Sequence, residues 1–144
     1  MKRKCFFVIL FLTLAIFLSG CSGGGIVTPA TDEAAIKEVI RDWSLALNDM
    51  NWNKAKGYCL NNSEMYYAVE TFEDLANSIS TYCNQITVNV AINVGNVSIN
   101  GSYGQAYCYT VWYTTYCNLY ETDSYNVYYS LQKIGNIWKL DEIN

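Results

Sequence analysis

The sequence predicts an α+β domain in which N-terminal helices pack into a curved, mostly antiparallel sheet of four to six strands. Three observations predict it. Residues 86 to 94 alternate strictly, with Ile86, Val88, Val90, Ile92 and Val94 on one side and Thr87, Asn89, Ala91 and Asn93 on the other, the pattern of a half-buried strand. Asn100-Gly101 then turns this run into a second one, Tyr103 to Cys117, which is β-branched and aromatic almost throughout. Upstream, Ile36, Val39, Ile40, Trp43 and Leu47 recur at helical spacing with one apolar face, which gives the sheet something to wrap.

Each element follows in chain order. Residues 1 to 20 carry a basic start, Lys2-Arg3-Lys4, an apolar run from Cys5 to Leu18 that is too short for a comfortable membrane span, and small residues at a cleavage point. Leu18-Ser19-Gly20-Cys21 resembles the lipobox of prokaryotic lipoproteins, which implies that Cys21 is lipidated and becomes the mature N-terminus, exported and held to the cell membrane on its extracytoplasmic side. Residues 21 to 31, with Ser22-Gly23-Gly24-Gly25, read as a flexible tether, and residues 32 to 144 as the folded domain. Thr31 or Asp32 caps the first helix. A short helix follows from Trp52 to Cys59, Asn61 to Ser63 break the chain, Met65 to Val69 has the composition of a short strand, and Thr71 with Glu73 and Asp74 opens a third helix that runs to Tyr82. In the sheet the apolar phase slips after Gly95 to Val97 and Ile99, as a β-bulge produces. Glu121 to Ser124 reads as a polar turn, Tyr125 to Ile134 as a strand, Gly135-Asn136 as a turn, and Ile137 to Ile143 as the last strand.

Length and charge bound the function. A chain of 144 residues holds one ordinary domain. Of 9 basic and 13 acidic residues, three basic ones lie in the leader, so the mature chain carries 6 against 13, a net charge of −7. That balance, with no Lys/Arg cluster after the leader, argues against nucleic acid as a partner. Between Asp74 and Lys133 only Glu121 and Asp123 are charged, so the sheet is kept soluble by Asn, Ser, Thr and tyrosine hydroxyls.

Cys59, Cys83, Cys108 and Cys117 remain after the leader and anchor, an even number that predicts two disulfides in an exported domain. Cys108 and Cys117 lie on one extended arm, roughly 30 Å apart, and cannot bridge. A hairpin turning at Asn100-Gly101 with a bulge near Gly95 puts Cys83 opposite Cys117, which pairs those two and leaves Cys59 for Cys108. The absence of His and of paired C-x-x-C spacing predicts no metal site, and no cofactor motif is present. Asn61-Asn62-Ser63, Asn96-Val97-Ser98 and Asn100-Gly101-Ser102 fit the glycosylation sequon, which in an Asn-rich chain with a prokaryotic lipobox is accidental.

The element order, closed by Gly135-Asn136-Ile137-Trp138-Lys139-Leu140, resembles the nuclear transport factor 2-like superfamily, with its cystatin-like cone, over about residues 32 to 144. The resemblance implies a sheet wrapped around a long helix, often with a pocket at the open end. It also implies a range of roles, from isomerases and dehydratases to non-catalytic lipoproteins, and frequent dimerisation through the outer sheet face. For catalysis, the lack of His leaves a carboxylate with tyrosines as the conceivable acid/base set: Asp42 or Asp49 with Tyr66, or with Tyr58 or Tyr67. For binding, Tyr107, Tyr109 and Tyr113 share one face of their strand while Cys108, Trp112 and Tyr116 share the other, so one aromatic set must face outward. The expectation is a membrane-anchored binding or accessory module acting on a small molecule, glycan or envelope protein, or as a homodimer. The alternative is a small isomerase, dehydratase or hydrolase.

Overall fold

The computed structural model describes residues 31–144; the expected signal segment, the expected lipidation site Cys21 and most of the expected tether lie outside the described residues. Three helices precede a four-stranded antiparallel sheet: α1 (Asp32–Asn48), α2 (Trp52–Tyr58), α3 (Glu64–Ser80), β1 (Ile86–Asn100), β2 (Tyr103–Tyr116), β3 (Leu119–Ile134) and β4 (Ile137–Ile143), with strand order β1-β2-β3-β4. No helix among the described residues is long and apolar enough to cross a membrane.

α1 starts where a side chain can stand in for the missing turn: the Thr31 hydroxyl accepts from the Ala34 N–H. Its buried stripe, Ile36, Ile40, Trp43 and Leu47, lies in the hollow of the sheet against Val90, Ala106, Tyr129, Leu131 and Trp138. The sheet comes close to this helix at Gly104. A Cβ built there would stand 2.5 Å from Ile36 Cδ1 and 3.2 Å from Trp138 Cζ3, so any larger residue would force the Ile36 side chain to shift.

The β1–β2 hairpin closes with Gly101 at φ +61° followed by Ser102, and its register shifts between Val94 and Val97, the bulge that the phase slip after Gly95 predicts. Both outer edges of the sheet are engaged by the helical half. Asn48 accepts from the Val90 N–H (2.5 Å) and donates to the Val90 carbonyl (3.3 Å) on the free edge of β1. The Leu60 N–H donates to the Leu140 carbonyl on the free edge of β4, beside a parallel bridge between Cys59 and Leu140.

Three expectations need correction. Met65 to Val69 is not a strand but the first turns of α3, which begins at Glu64 rather than Thr71. Ser63 caps that helix by accepting from the Tyr66 N–H at 3.1 Å, and Met65, Val69 and Ala76 form its buried stripe, so helical periodicity outweighs the tyrosines' preference for strands. Glu121 to Ser124 is not a turn but part of β3. The chain reverses earlier, at Cys117 and Asn118, which both take positive φ, +47° and +65°, as a two-residue type I′ hairpin requires.

The third correction concerns the cysteines. Cys83 and Cys117 form a disulfide, Cα–Cα 5.0 Å, at the place the hairpin register puts them. Cys59 and Cys108, expected to pair, are free and buried. Cys59 lies outside the free edge of β4, whereas Cys108 is on β2, so three inter-strand steps of about 4.8 Å each separate them across the sheet. That exceeds disulfide reach. Each thiol instead donates locally, Cys59 to the Ala55 carbonyl (3.5 Å) and Cys108 to the Ala106 carbonyl (3.7 Å).

Candidate functional site

Two places can host chemistry in such a fold, the inside of the cone and the outside of the sheet. The inside is filled. Trp43 meets Tyr129 edge-on at 5.7 Å between ring centroids, and Ile36, Ile40, Leu47, Cys108 and Leu140 pack around them with no solvent exposure. The Tyr129 hydroxyl lies 3.4 Å from Thr110 Oγ1, and burial pushes its pKa up to about 12, so it stays a neutral core group. Burial likewise raises the Cys59 thiol to about 12 and the Cys108 thiol to about 11, which makes both poor nucleophiles. The buried Trp43 Nε1–H has no hydrogen-bond partner among the described residues.

Under α3, toward the disulfide end, a cleft of about 80 Å³ remains, lined among others by Trp52, Phe72, Ala76, Ile79, Val88 and Trp112. It is apolar, and well under the roughly 300 Å³ at which small-molecule sites begin. Phe72 stacks on Trp112 across it at 4.8 Å.

The candidate acid/base residues do not converge. Asp42 is held by its neighbour Arg41, whose Nε and Nη2 donate to Oδ1 at 3.1 and 2.9 Å. Asp49 is exposed just past the end of α1. Tyr66, on α3, packs edge-on against Tyr67 at 6.0 Å, and Tyr58, at the end of α2, packs against the core. Among the described residues the hydrogen bond between a tyrosine and a carboxylate is a different one: Tyr116 donates to Glu121 at 2.8 Å on the exposed extension of the sheet, which raises the tyrosine's pKa.

The five candidate binding aromatics divide between the faces of β2. Trp112 and Tyr116 point to the helix side and are half-buried, while Tyr107, Tyr109 and Tyr113 are exposed on the convex side. Register extends that convex row to residues that strand-by-strand reading passes over: Tyr128 lies opposite Tyr107, with ring centroids 5.1 Å apart, and Tyr120 packs 6.3 Å from Tyr113. Tyr103 continues the row to the hairpin end. There an open groove of about 410 Å³ runs between Ser98, Asn100, Tyr103, Gln105, Gln132 and Glu142, and a second of about 310 Å³ adjoins it at Ser98 and Gln105 and ends against Tyr107 and Tyr128. The signal for this site was the odd-numbered tyrosine series from 103 to 113, but its groove depends on the bulges that bring β1 and β4 into place.

No family model matches the sequence, and no characterised protein sequence matches it. Solved structures do. A conserved protein from Planctomyces limnophilus aligns with a TM-score of 0.63 at 10% identity, over 78% of this chain and 92% of that one. A nuclear transport factor 2-like protein with a cystatin-like fold from Novosphingobium aromaticivorans aligns with a TM-score of 0.60 at 10% identity, over 78% and 79%. A ketosteroid isomerase-like protein from Erwinia carotovora atroseptica gives 0.57 at 11% identity, over 76% and 91%. The domain therefore has the nuclear transport factor 2-like, cystatin-like cone. At these identities the likeness fixes the fold, and the site must speak for the function.

Proposed function

We propose that this protein is a membrane-anchored extracytoplasmic lipoprotein whose domain is a non-catalytic binding module, and that the convex face of its sheet is the working surface. One contrast carries the reading. The side chains inside the cone pack against each other and leave a small apolar cleft, whereas the outer face presents Tyr103, Tyr107, Tyr109, Tyr113 and Tyr128 to solvent. Large aromatic rings gathered on one exposed face are a feature of contact surfaces. Anchoring rests on the lipobox ending at Cys21, and a disulfide in the domain agrees with an oxidising compartment.

Two measurements test this. Cys21→Ala should move the protein from the membrane pellet to the soluble fraction. Hydroxyl-radical oxidation of Tyr107, Tyr109 and Tyr113 should fall in intact envelopes compared with the purified full chain. Equal oxidation in both settings would show the face to be idle and end the proposal.

A further inference from the structure

We infer that the convex face binds uncharged sugar rings, with the groove between Tyr103 and Tyr107 as the principal subsite for a neutral glycan chain. The inference rests on the reading of that face as the working surface and names its ligand.

Strand register sets the outward side chains in transverse rows. Tyr103 is flanked by Asn100 and Gln132, Gln105 by Ser98 and Ser130, Tyr109 by Asn93 and Asn126, and Tyr113 by Asn89 and Thr122. Tyr103, Tyr109 and Tyr113 thus stand on β2 with amide or hydroxyl groups on both sides, whereas Tyr107 has the Tyr128 ring beside it. Adjacent outward residues on β2 are about 6.6 Å apart, so Tyr103 and Tyr107 lie roughly 13 Å apart with Gln105 between them. A pyranose offers two kinds of surface that match. Its C–H face carries partial positive charge and seats on the negative face of an aromatic ring. Its rim of hydroxyls both donates and accepts, as primary amides do.

The groove supplies the rest. Gln132 Nε2 donates to Asp141 Oδ2 at 2.6 Å, which holds the amide in place while its carbonyl oxygen remains an acceptor. Glu142, opposite Ser130, adds a carboxylate at the rim that can take a charge-assisted bond from a sugar hydroxyl.

Other ligand chemistries fit less well. Lys139, opposite Gln132, is turned to the Gly57 carbonyl, and Asp141 and Glu142 line the groove, so an anionic polymer would be repelled. A cationic partner would meet Asp141 and Glu142 at the groove, but the rows of Tyr107, Tyr109 and Tyr113 carry no acidic residue to hold it along the face. A lipid or an apolar protein face would have to strip water from the amides and hydroxyls that separate the rings.

The test is isothermal titration of the full chain, held in a non-glycosidic detergent, with cellohexaose and with chitohexaose. At least one should bind saturably. Tyr103→Ala should weaken that binding roughly tenfold and Tyr103→Phe should leave it near the parent value, because the ring face is kept. Tyr82→Ala, a change at an exposed tyrosine away from the groove, should leave it unchanged. Both Tyr103 variants replace an exposed side chain, so far-UV circular dichroism should match the parent. Failure of both oligosaccharides to bind, or binding insensitive to Tyr103→Ala, overturns the inference. If Tyr107, Tyr109 and Tyr113 are nevertheless protected in intact envelopes, the working-surface reading survives and the ligand is not a neutral glycan; if they are not protected, both fall.

Discussion

Asp32, the first residue of α1, accepts a hydrogen bond from the indole Nε1–H of Trp138 in β4 at 3.0 Å, and the same oxygen accepts from Lys133 Nζ at 2.6 Å. The start of the helical half is thereby fixed to the closing hairpin, and the paired donors hold the Asp32 carboxyl below its ordinary value of 3.8, the Lys133 hydrogen bond acting most strongly. A carboxyl lowered in the folded state stabilises the fold above its unfolded value, and that contribution is lost as pH falls through the folded one. Asp32→Asn should therefore lower the melting temperature modestly at pH 7, since the pair is partly exposed. The difference from the parent should shrink as pH drops below 3.8, measured by thermal melts at stepped pH. A gap that persists unchanged at low pH would mean that the carboxylate is not its source.

The Cys83–Cys117 bridge spans a sequence separation of 34 and ties the chain just after α3 to the β2–β3 turn. Loop-closure entropy for that length corresponds to about 3–4 kcal/mol. The double variant Cys83→Ser, Cys117→Ser should lose about that much in urea unfolding under oxidising conditions, and reductant should bring the parent down toward the variant. Equal stability of the two under oxidising conditions would rule the bridge out.

Cys59 and Cys108 give a contrasting prediction. Buried and raised to about 12 and 11, they should resist iodoacetamide at pH 8 in the native protein. Peptides containing them should become labelled when the protein is unfolded without reductant, whereas those containing Cys83 and Cys117 should not. Cys59 and Cys108 staying unlabelled until reductant is added would restore the second disulfide.

These cysteines also show how far the sequence could be read. The period-two alternation from Ile86 to Val94, the Asn100-Gly101 turn and the slip after Gly95 fix a hairpin register, and that register alone leads to the observed bridge. The position of Cys59 depends on how α2 meets the far edge of the sheet, a tertiary contact that leaves no local trace. The start of β3 was hidden for a related reason. Glu121 to Ser124 extend past the helices, so neither face is buried and no apolar alternation marks them as strand. On the candidate site, the outward tyrosines of β2 were legible as one face. The groove was not, because it takes side chains from all four strands and a register shift at Ser130/Leu131.

Gly104→Ala tests how tightly helix and sheet are fitted. The added methyl would meet Ile36 Cδ1 at 2.5 Å and the Trp138 ring at 3.2 Å, both side chains fully packed in the core. Overfilling of that kind costs about 1–3 kcal/mol. The substitution should therefore lower stability although alanine favours a strand no less than glycine. If the clash is the cause, the shorter Ile36→Val should recover part of the loss in the double variant, a coupling read from a double-mutant cycle by urea unfolding.

Asn48 supports the fold from the opposite end of α1. Its side-chain amide makes two hydrogen bonds to Val90 on the unpaired edge of β1, so one residue both ends the helix and occupies a strand edge that could otherwise pair with another chain. Asn48→Ala should cost about 1–3 kcal/mol, because the Val90 N–H and carbonyl lose their partners in a partly buried position. Asn48→Asp keeps the acceptor for the Val90 N–H but sets a carboxylate against the Val90 carbonyl, so it should also destabilise at pH 7 and recover as the acid is protonated. Hydrogen exchange gives the local readout. In Asn48→Ala the Val90 amide should exchange faster by a larger factor than amides of β3, and a uniform change across the sheet would mean that the residue acts only through global stability.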